Sequence, residues 1–290
     1  MKRKIDHIVL AVADLDKAAD FYEKCGFTIT AKSMHPFGTG NRLALLDTAY
    51  VELLAVIEPE KIPPMRPDGF SFADFNKTFL DKREGFSMMV ISSENPETDH
   101  KRLSDNAIET YPVMRFSRKA VIETGEEVEY AFSTIFASSP MFQESAVFFC
   151  RHHHQKELFY RPGFQNHENG AIDPADVVLI SNTPEKTAEA YETFLGAPSG
   201  RAFDGSLFIN LENGTFHILS PEEFNHRFGD PAHAGFSGNP VFGAVTFRIK
   251  QIETIKKRLE QNGIPFTEKK GAVGITPDIA FGLYLFFTDR

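Results

Sequence analysis

Three places in this sequence carry groups suited to metal or substrate chemistry. His7 lies in the strand-like run Ile5 to Leu10, Glu52 lies in Tyr50-Val51-Glu52-Leu53-Leu54, and an internal histidine run reads Arg151-His152-His153-His154. Imidazole and carboxylate together suit a divalent ion such as Fe²⁺, Mn²⁺, Zn²⁺ or Ni²⁺, and a facial set leaves positions open for a substrate with two adjacent oxygens. Glu52 is telling because its neighbours are apolar. An inward carboxylate there is costly unless paired or metal-bound, whereas a strand facing the other way leaves it solvated. For His7 the ordinary alternative is a neutral imidazole hydrogen-bonded in a strand. Alternate residues of an extended segment share a face, so His152 and His154 can point inward with Cys150, or His153 with Arg151. His35, in the turn-rich segment His35 to Asn41, can reach a pocket mouth and Asn41 can orient a substrate carbonyl; both also suit a plain turn. Arg42 and Arg151 are the candidate cations for an anionic substrate, or else ordinary salt-bridge partners.

These residues need elements to hold them, and the chain supplies one arrangement four times. Ile5 to Val12 reads as a strand, Asp14 as an N-cap, Leu15 to Cys25 as a helix stopped at Gly26, and Phe27 to Lys32, Arg42 to Leu46 and Tyr50 to Val56 as three further strands. A second unit follows: strand Phe86 to Ile91, a helix from Asn95-Pro96-Glu97 to about Asn106, and strands Glu109 to Pro112, Val128 to Ile135 and Ala146 to Cys150. The third has strand Asp176 to Ile180, a helix from Thr183-Pro184-Glu185 to Leu195-Gly196, and strands Ser206 to Leu211 and Thr215 to Leu219. The fourth has strand Phe242 to Phe247, a helix from Ile252 to Asn262-Gly263, and strands near Phe266, Gly274 and Leu283 to Phe287. Glu58 to Arg83 is a Pro-rich linker with a short helix near Phe72 to Phe79. The expected fold class is therefore α+β: four βαβββ units paired into two half-closed mixed β-barrel domains, at 1–165 and 166–290.

Asp6-His7-Ile8-Val9-Leu10-Ala11-Val12-Ala13-Asp14-Leu15, continuing to Phe21-Tyr22-Glu23-Lys24-Cys25-Gly26-Phe27, resembles the opening of glyoxalase/bleomycin-resistance/extradiol-dioxygenase (vicinal oxygen chelate) proteins. Gly38-Thr39-Gly40-Asn41, followed by Tyr50-Val51-Glu52-Leu53-Leu54, is similar to the glyoxalase-like-domain subfamily. The resemblance implies a metal ligand on the first strand and a carboxylate on the last strand of a unit, which fall on His7 and Glu52. The second unit departs from the pattern, with Ser87 and Met88 where a histidine is expected and Phe148-Phe149-Cys150 where a carboxylate is expected. His152, nearest the strand end, is the favoured third ligand. In the third unit Val177 and His217 take the two positions, and in the fourth Gly243 and Phe286, so the C-terminal half is expected to be scaffold or pocket wall. His167 is a weak candidate for covering the barrel mouth.

Composition narrows the remaining classes. A net charge of −9 and the absence of a basic stripe with interleaved aromatics argue against nucleic acid, and no apolar run is long enough for a membrane helix. Without a signal-peptide core the expected location is cytoplasmic. Cys25 and Cys150 form no disulfide framework and are expected as buried thiols. With 29 phenylalanines and no tryptophan, the aromatic bulk suits large cores or an apolar pocket. There is no dinucleotide turn, Walker loop, nucleophile elbow or His-Glu-x-x-His helix. The leading expectation is a metal-dependent dioxygenase, lyase or isomerase acting on a small substrate. The alternative is a metal-free protein that sequesters a small molecule, and a homodimer is left open as the assembly.

Overall fold

A computed structural model describes residues 3–121, 127–137, 139 and 142–290. The first unit comprises β1 (Ile5–Ala11), α1 (Leu15–Lys24), β2 (Ser33–Met34), β3 (Thr39–Leu45) and β4 (Tyr50–Val56); α2 (Phe72–Leu80) leads to the second. That unit is β5 (Gly85–Ser92), α3 (Pro96–Asp105), β6 (Met114–Val121), β7 (Glu127–Phe136) and β8 (Ala146–His152), followed by single turns α4 (Lys156–Phe159) and α5 (Pro162–Gln165). The third is β9 (Ala171–Ile180), α6 (Pro184–Leu195), β10 (Ser199–Arg201), β11 (Leu207–Asn210) and β12 (Thr215–Leu219), with α7 (Pro221–Arg227) behind it. The fourth is β13 (Val241–Ile249), α8 (Ile252–Gln261), β14 (Thr267–Lys269), β15 (Ala272–Ile275) and β16 (Tyr284–Thr288). All four units have the order βαβββ.

Each pair of units makes one eight-stranded sheet, ordered β2-β3-β4-β1-β5-β8-β7-β6 and β10-β11-β12-β9-β13-β16-β15-β14. The leading strands join antiparallel at the centre, β1 to β5 and β9 to β13, and each also runs parallel to the last strand of its own unit. Strand alternation then sorts the side chains. Ile8 and Leu10 of β1, with Val51 and Leu53 of β4, enter a core shared with the helices and with Val177, Leu179 and Phe247 of the second sheet. Val9, Tyr50 and Leu54 face the other way, into an apolar cluster on the concave side with Met88 and Phe148. Both faces of the central strands are buried, which is why their sequences read as near-continuous apolar runs.

Local chemistry fixes the element ends. The Asp14 side chain accepts from the backbone N–H groups of Asp16 and Lys17 to start α1, Asn95 caps α3 through Thr98 N–H, and Gly196 ends α6 in the left-handed conformation. Two expected strands are displaced. In place of Phe27 to Lys32 the strand is Ser33–Met34: Thr28 N–H is taken by His167 Nδ1, and Thr30, although its N–H reaches the Leu43 carbonyl, meets Leu43 N–H with its hydroxyl instead of its carbonyl. In place of Glu109 to Pro112 only Thr110 bridges Ala137, since Pro112 has no N–H for a ladder, and β6 starts at Met114. His167 does not cover a barrel mouth. It is buried as a brace, accepting from Thr28 at Nδ1 and donating from Nε2 to the Leu45 carbonyl.

Buried Arg3 ties the halves together. Its guanidinium donates to the Leu195 carbonyl at the end of α6 and to Asp99 of α3, both at 2.6 Å, and lies over the Phe149 ring. Arg3→Ala leaves Asp99 short of its main cation and is expected to cost about 3 kcal/mol, against about 1 kcal/mol for loss of the α1 cap in Asp14→Ala. Urea denaturation of the two variants checks the ranking, and equal losses would contradict it.

Candidate active site

The concave face of the first sheet carries a narrow cavity of about 60 Å³. Its polar pole is built from β1, β3 and β4: His7, His35, Asn41 and Glu52. The wall is largely aromatic, including Phe37, Phe72, Phe116, Phe132 and Phe148.

His7 is held by an irregularity of its strand. Ile5 pairs with Ile91 and His7 with Val90, so β1 spends two residues where β5 spends one, and Asp6 is the extra residue of a β-bulge. The side chain of Asn213 accepts from Ile5 N–H and donates to Ile5 C=O, each at 2.9 Å, satisfying the backbone there. Regular alternation would send Asp6 away from His7. The bulge instead brings Asp6 Oδ2 to 2.7 Å from His7 Nδ1, while the Tyr50 ring stacks on the imidazole at 4.3 Å. Burial opposes ionisation of Asp6, but the imidazoles of His152 and His7 outweigh it and hold the carboxyl well below its ordinary range. An ionised Asp6 accepts from His7 Nδ1–H, which leaves Nε2 as the nitrogen on the pole.

Opposite it, Glu52 is buried, with Oε2 3.7 Å from His7 Nε2 and Oε1 3.8 Å from His35 Nε2. Asn41 donates from Nδ2 to Glu52 Oε1 at 2.5 Å and fixes the carboxylate. The amide orientation follows from the acceptor-only carboxylate, and the other amide atom, Asn41 Oδ1, is buried without a partner among the described residues. His35 Nδ1 lies 2.8 Å from the Thr39 hydroxyl, and burial is the main cause that lowers its pKa to about 4, so the ring is neutral near pH 7.

The structure thus brings His7, Glu52, His35 and Asn41 together and seats the other expected residues elsewhere. His152 does not join His7 and Glu52. Its Nε2 is 3.1 Å from Asp6 Oδ2 and its Nδ1 3.2 Å from His154 Nε2, so it shares with His7 the same oxygen of the carboxylate that orients His7. Asp6, Cys150 and His152 place ligand atoms within 4.8 Å of one another, and burial first, then nearby carboxylates, push the Cys150 thiol well up. Arg42 sits between the lining residues Asn41 and Leu43, so alternation turns it outward, where it pairs with Asp16 at 2.8 Å. Arg151, next to inward Cys150, is likewise absent from the lining. The cation that does line the cavity is Arg118 of β6.

The strand registers also identify the partner-unit positions. Because Ile8 faces Met89 across the antiparallel pair, His7 corresponds to Met88 and Glu52 to Phe148. In the second sheet the position of His7 falls on Asp176 rather than Val177, since Thr215 pairs with Asp176 as Tyr50 pairs with His7. His217 takes the Glu52 position as expected, and its Nε2 is 3.1 Å from Asp176 Oδ1.

Residues 5–195 match the model of the glyoxalase-like domain. The chain belongs to the glyoxalase-like domain family. Among solved structures, a hypothetical protein from Staphylococcus aureus shares 14% identity at a TM-score of 0.70, with 98% of each chain covered. A mutant of 4-hydroxymandelate synthase from Streptomyces coelicolor is 12% identical at a TM-score of 0.58, over 99% of this chain and 92% of that one. A xylose isomerase-like TIM barrel/4-hydroxyphenylpyruvate dioxygenase fusion protein is 10% identical at a TM-score of 0.59; 99% of this chain spans 48% of it. At these identities the likeness is one of fold. No curated protein sequence matches.

Asp6 has a measurable signature. Its folded pKa lies below the unfolded value, so its contribution to stability is complete above the ordinary carboxylate range near pH 4 and is lost as pH falls below it. Asp6→Asn is expected to lower stability at pH 7 and to lose less between pH 5 and 3 than the parent; parallel pH profiles of unfolding free energy would refute this.

Proposed function

We propose that the N-terminal half is a divalent-metal centre acting on a small, largely apolar substrate with two adjacent oxygens, with the chain divided at 165/166 and the C-terminal half serving as scaffold. The observation that carries this reading is the pairing of His7 Nε2 with Glu52 at 3.7 Å while Asp6 engages the other ring nitrogen. Donors about 2.0–2.2 Å from a common ion lie roughly 3–4 Å apart, so the separation of His7 Nε2 from Glu52 Oε2 suits one ion. The borderline character of imidazole and the hardness of carboxylate suit Fe²⁺, Mn²⁺, Zn²⁺ or Ni²⁺. His7 and Glu52 would hold the ion, and His35 stands beside the other Glu52 oxygen at 3.8 Å. When bound, such an ion polarises a substrate oxygen and stabilises developing negative charge, the chemistry shared by ring cleavage, isomerisation and lyase steps.

The chain's own residues supply the rest. Asp6 keeps the His7 proton on Nδ1 and the ring in place. Asn41 holds Glu52, and its unpartnered Oδ1 offers an acceptor to a substrate hydroxyl. The aromatic wall excludes water and grips the apolar part of the substrate, strengthening every electrostatic contact at the pole.

A second reading, metal-free sequestration of a small molecule, is favoured by Met88 and Phe148 at the partner-unit positions, where the pole is apolar. Calorimetric titration of metal-free, untagged protein with Zn²⁺ and Mn²⁺ separates the two. The metal reading expects one ion per chain, loss of binding in His7→Ala and Glu52→Gln, and binding weakened about tenfold to a hundredfold in Asp6→Asn. Absence of binding in the parent protein would remove the metal reading and leave sequestration.

A further inference from the structure

The first sheet is an open barrel whose edges are β2 and β6. The edges meet across a seam, where Arg118 of β6 donates to the Ser33 hydroxyl of β2 and the Phe37 and Phe116 rings lie 6.0 Å apart. A groove runs along this seam and shares Asn41, Leu43, Arg118 and Phe159 with the cavity, so it is the mouth. In a chain with 40 acidic and 31 basic side chains, the groove is lined, among the described residues, by Lys32, Arg118, Lys119 and Arg161 and by no carboxylate. Two of these cations are matched from outside it: Lys32 by Asp16 at 3.2 Å and Lys119 by Glu127 at 2.7 Å.

Arg118 differs from them. It is half-buried, lines both groove and cavity, lies 5.8 Å over the Tyr130 ring and makes no ion pair among the described residues. A guanidinium has five donors in a planar fork that fits a carboxylate, and Ser33 occupies one side of it. A partly desolvated cation without a counter-ion, at the mouth of an aromatic cavity, is an unmet electrostatic demand.

We infer that the ligand is an apolar acid: its hydrocarbon or aromatic body fills the cavity among Phe37, Phe72, Phe116 and Phe132, and its carboxylate stays at the seam on Arg118. This deepens the reading given above and rests on it for the cavity being the ligand site. Such a ligand enters body first and closes the seam with its charge.

Phenylbutyrate and phenylbutanol, which differ in charge but share a body, provide the test by calorimetry at low salt. The parent protein is expected to bind the acid at least about tenfold more tightly than the alcohol, with a preference that shrinks as salt is raised. Arg118→Met is expected to abolish the preference while the alcohol still binds, which also shows that the cavity has folded, and Arg118→Lys to restore part of it. Equal affinities in the parent, binding of neither compound, or a preference that survives Arg118→Met would each overturn the inference. Zn²⁺ titration of the same proteins keeps the two readings apart. Acid preference without ion binding strikes the metal centre alone, and ion binding without acid preference strikes the role of Arg118 alone.

Discussion

The hydrogen bond between Asp6 and His7 is the contact from which the site is organised. Neighbouring residues of a regular strand face opposite ways and cannot bond to each other. A single extra residue in β1, its backbone satisfied by the Asn213 side chain, removes that prohibition and gives the imidazole a carboxylate partner. The nitrogen left over meets Glu52 because β1 and β4 run parallel with His7 beside Tyr50 and Val9 beside Glu52. The centre is thus a product of register, and the long-range tie from Asn213 makes the second half of the chain responsible for geometry in the first.

The two sheets show what happens to the same positions under different chemistry. In the second, acid and imidazole exchange places, and Asp176 and His217 approach within hydrogen-bonding distance, 3.1 Å, on the concave face. In the first, the corresponding pair is held 3.7 Å apart, each member anchored from behind by its own partner. Separation maintained by anchors leaves groups available to a third party; direct contact consumes them. The contrast lies in the anchors more than in the residue types.

Much of the fold was legible because its signals are local. Asp14, Asn95, Thr183-Pro184 and Gly196 announce helix ends through their own side-chain and backbone chemistry, and the repeating strand clusters follow. Glu52 was legible as well, since a carboxylate amid Tyr50, Val51, Leu53 and Leu54 must be either paired inside or turned out. What escaped depends on partners distant in sequence. The bulge that recruits Asp6 is invisible without β5 and Asn213, and once Asp6 turns toward His7 it also claims His152, which was expected in the pole. Arg118 escaped because β6 was placed before Pro112, leaving its residues in a loop. Of the two readings of Arg42 the structure shows the salt-bridge partner, since its neighbours Asn41 and Leu43 face the cavity and alternation turns it toward Asp16.

The seam has a consequence for pairing through the edges of the sheet. An open barrel leaves two rows of unpaired backbone groups, and an edge strand of that kind is a template for a strand from another molecule. Lys32 before β2 and Arg118 and Lys119 on β6 place charge on both borders of the gap, where an incoming strand would have to desolvate it. The charges that draw a ligand toward the mouth therefore also discourage polymerisation through it. Stripping them would remove charge from both borders of the gap and leave the edge backbone easier for an incoming strand to reach, which limits how far the composition of this seam can drift.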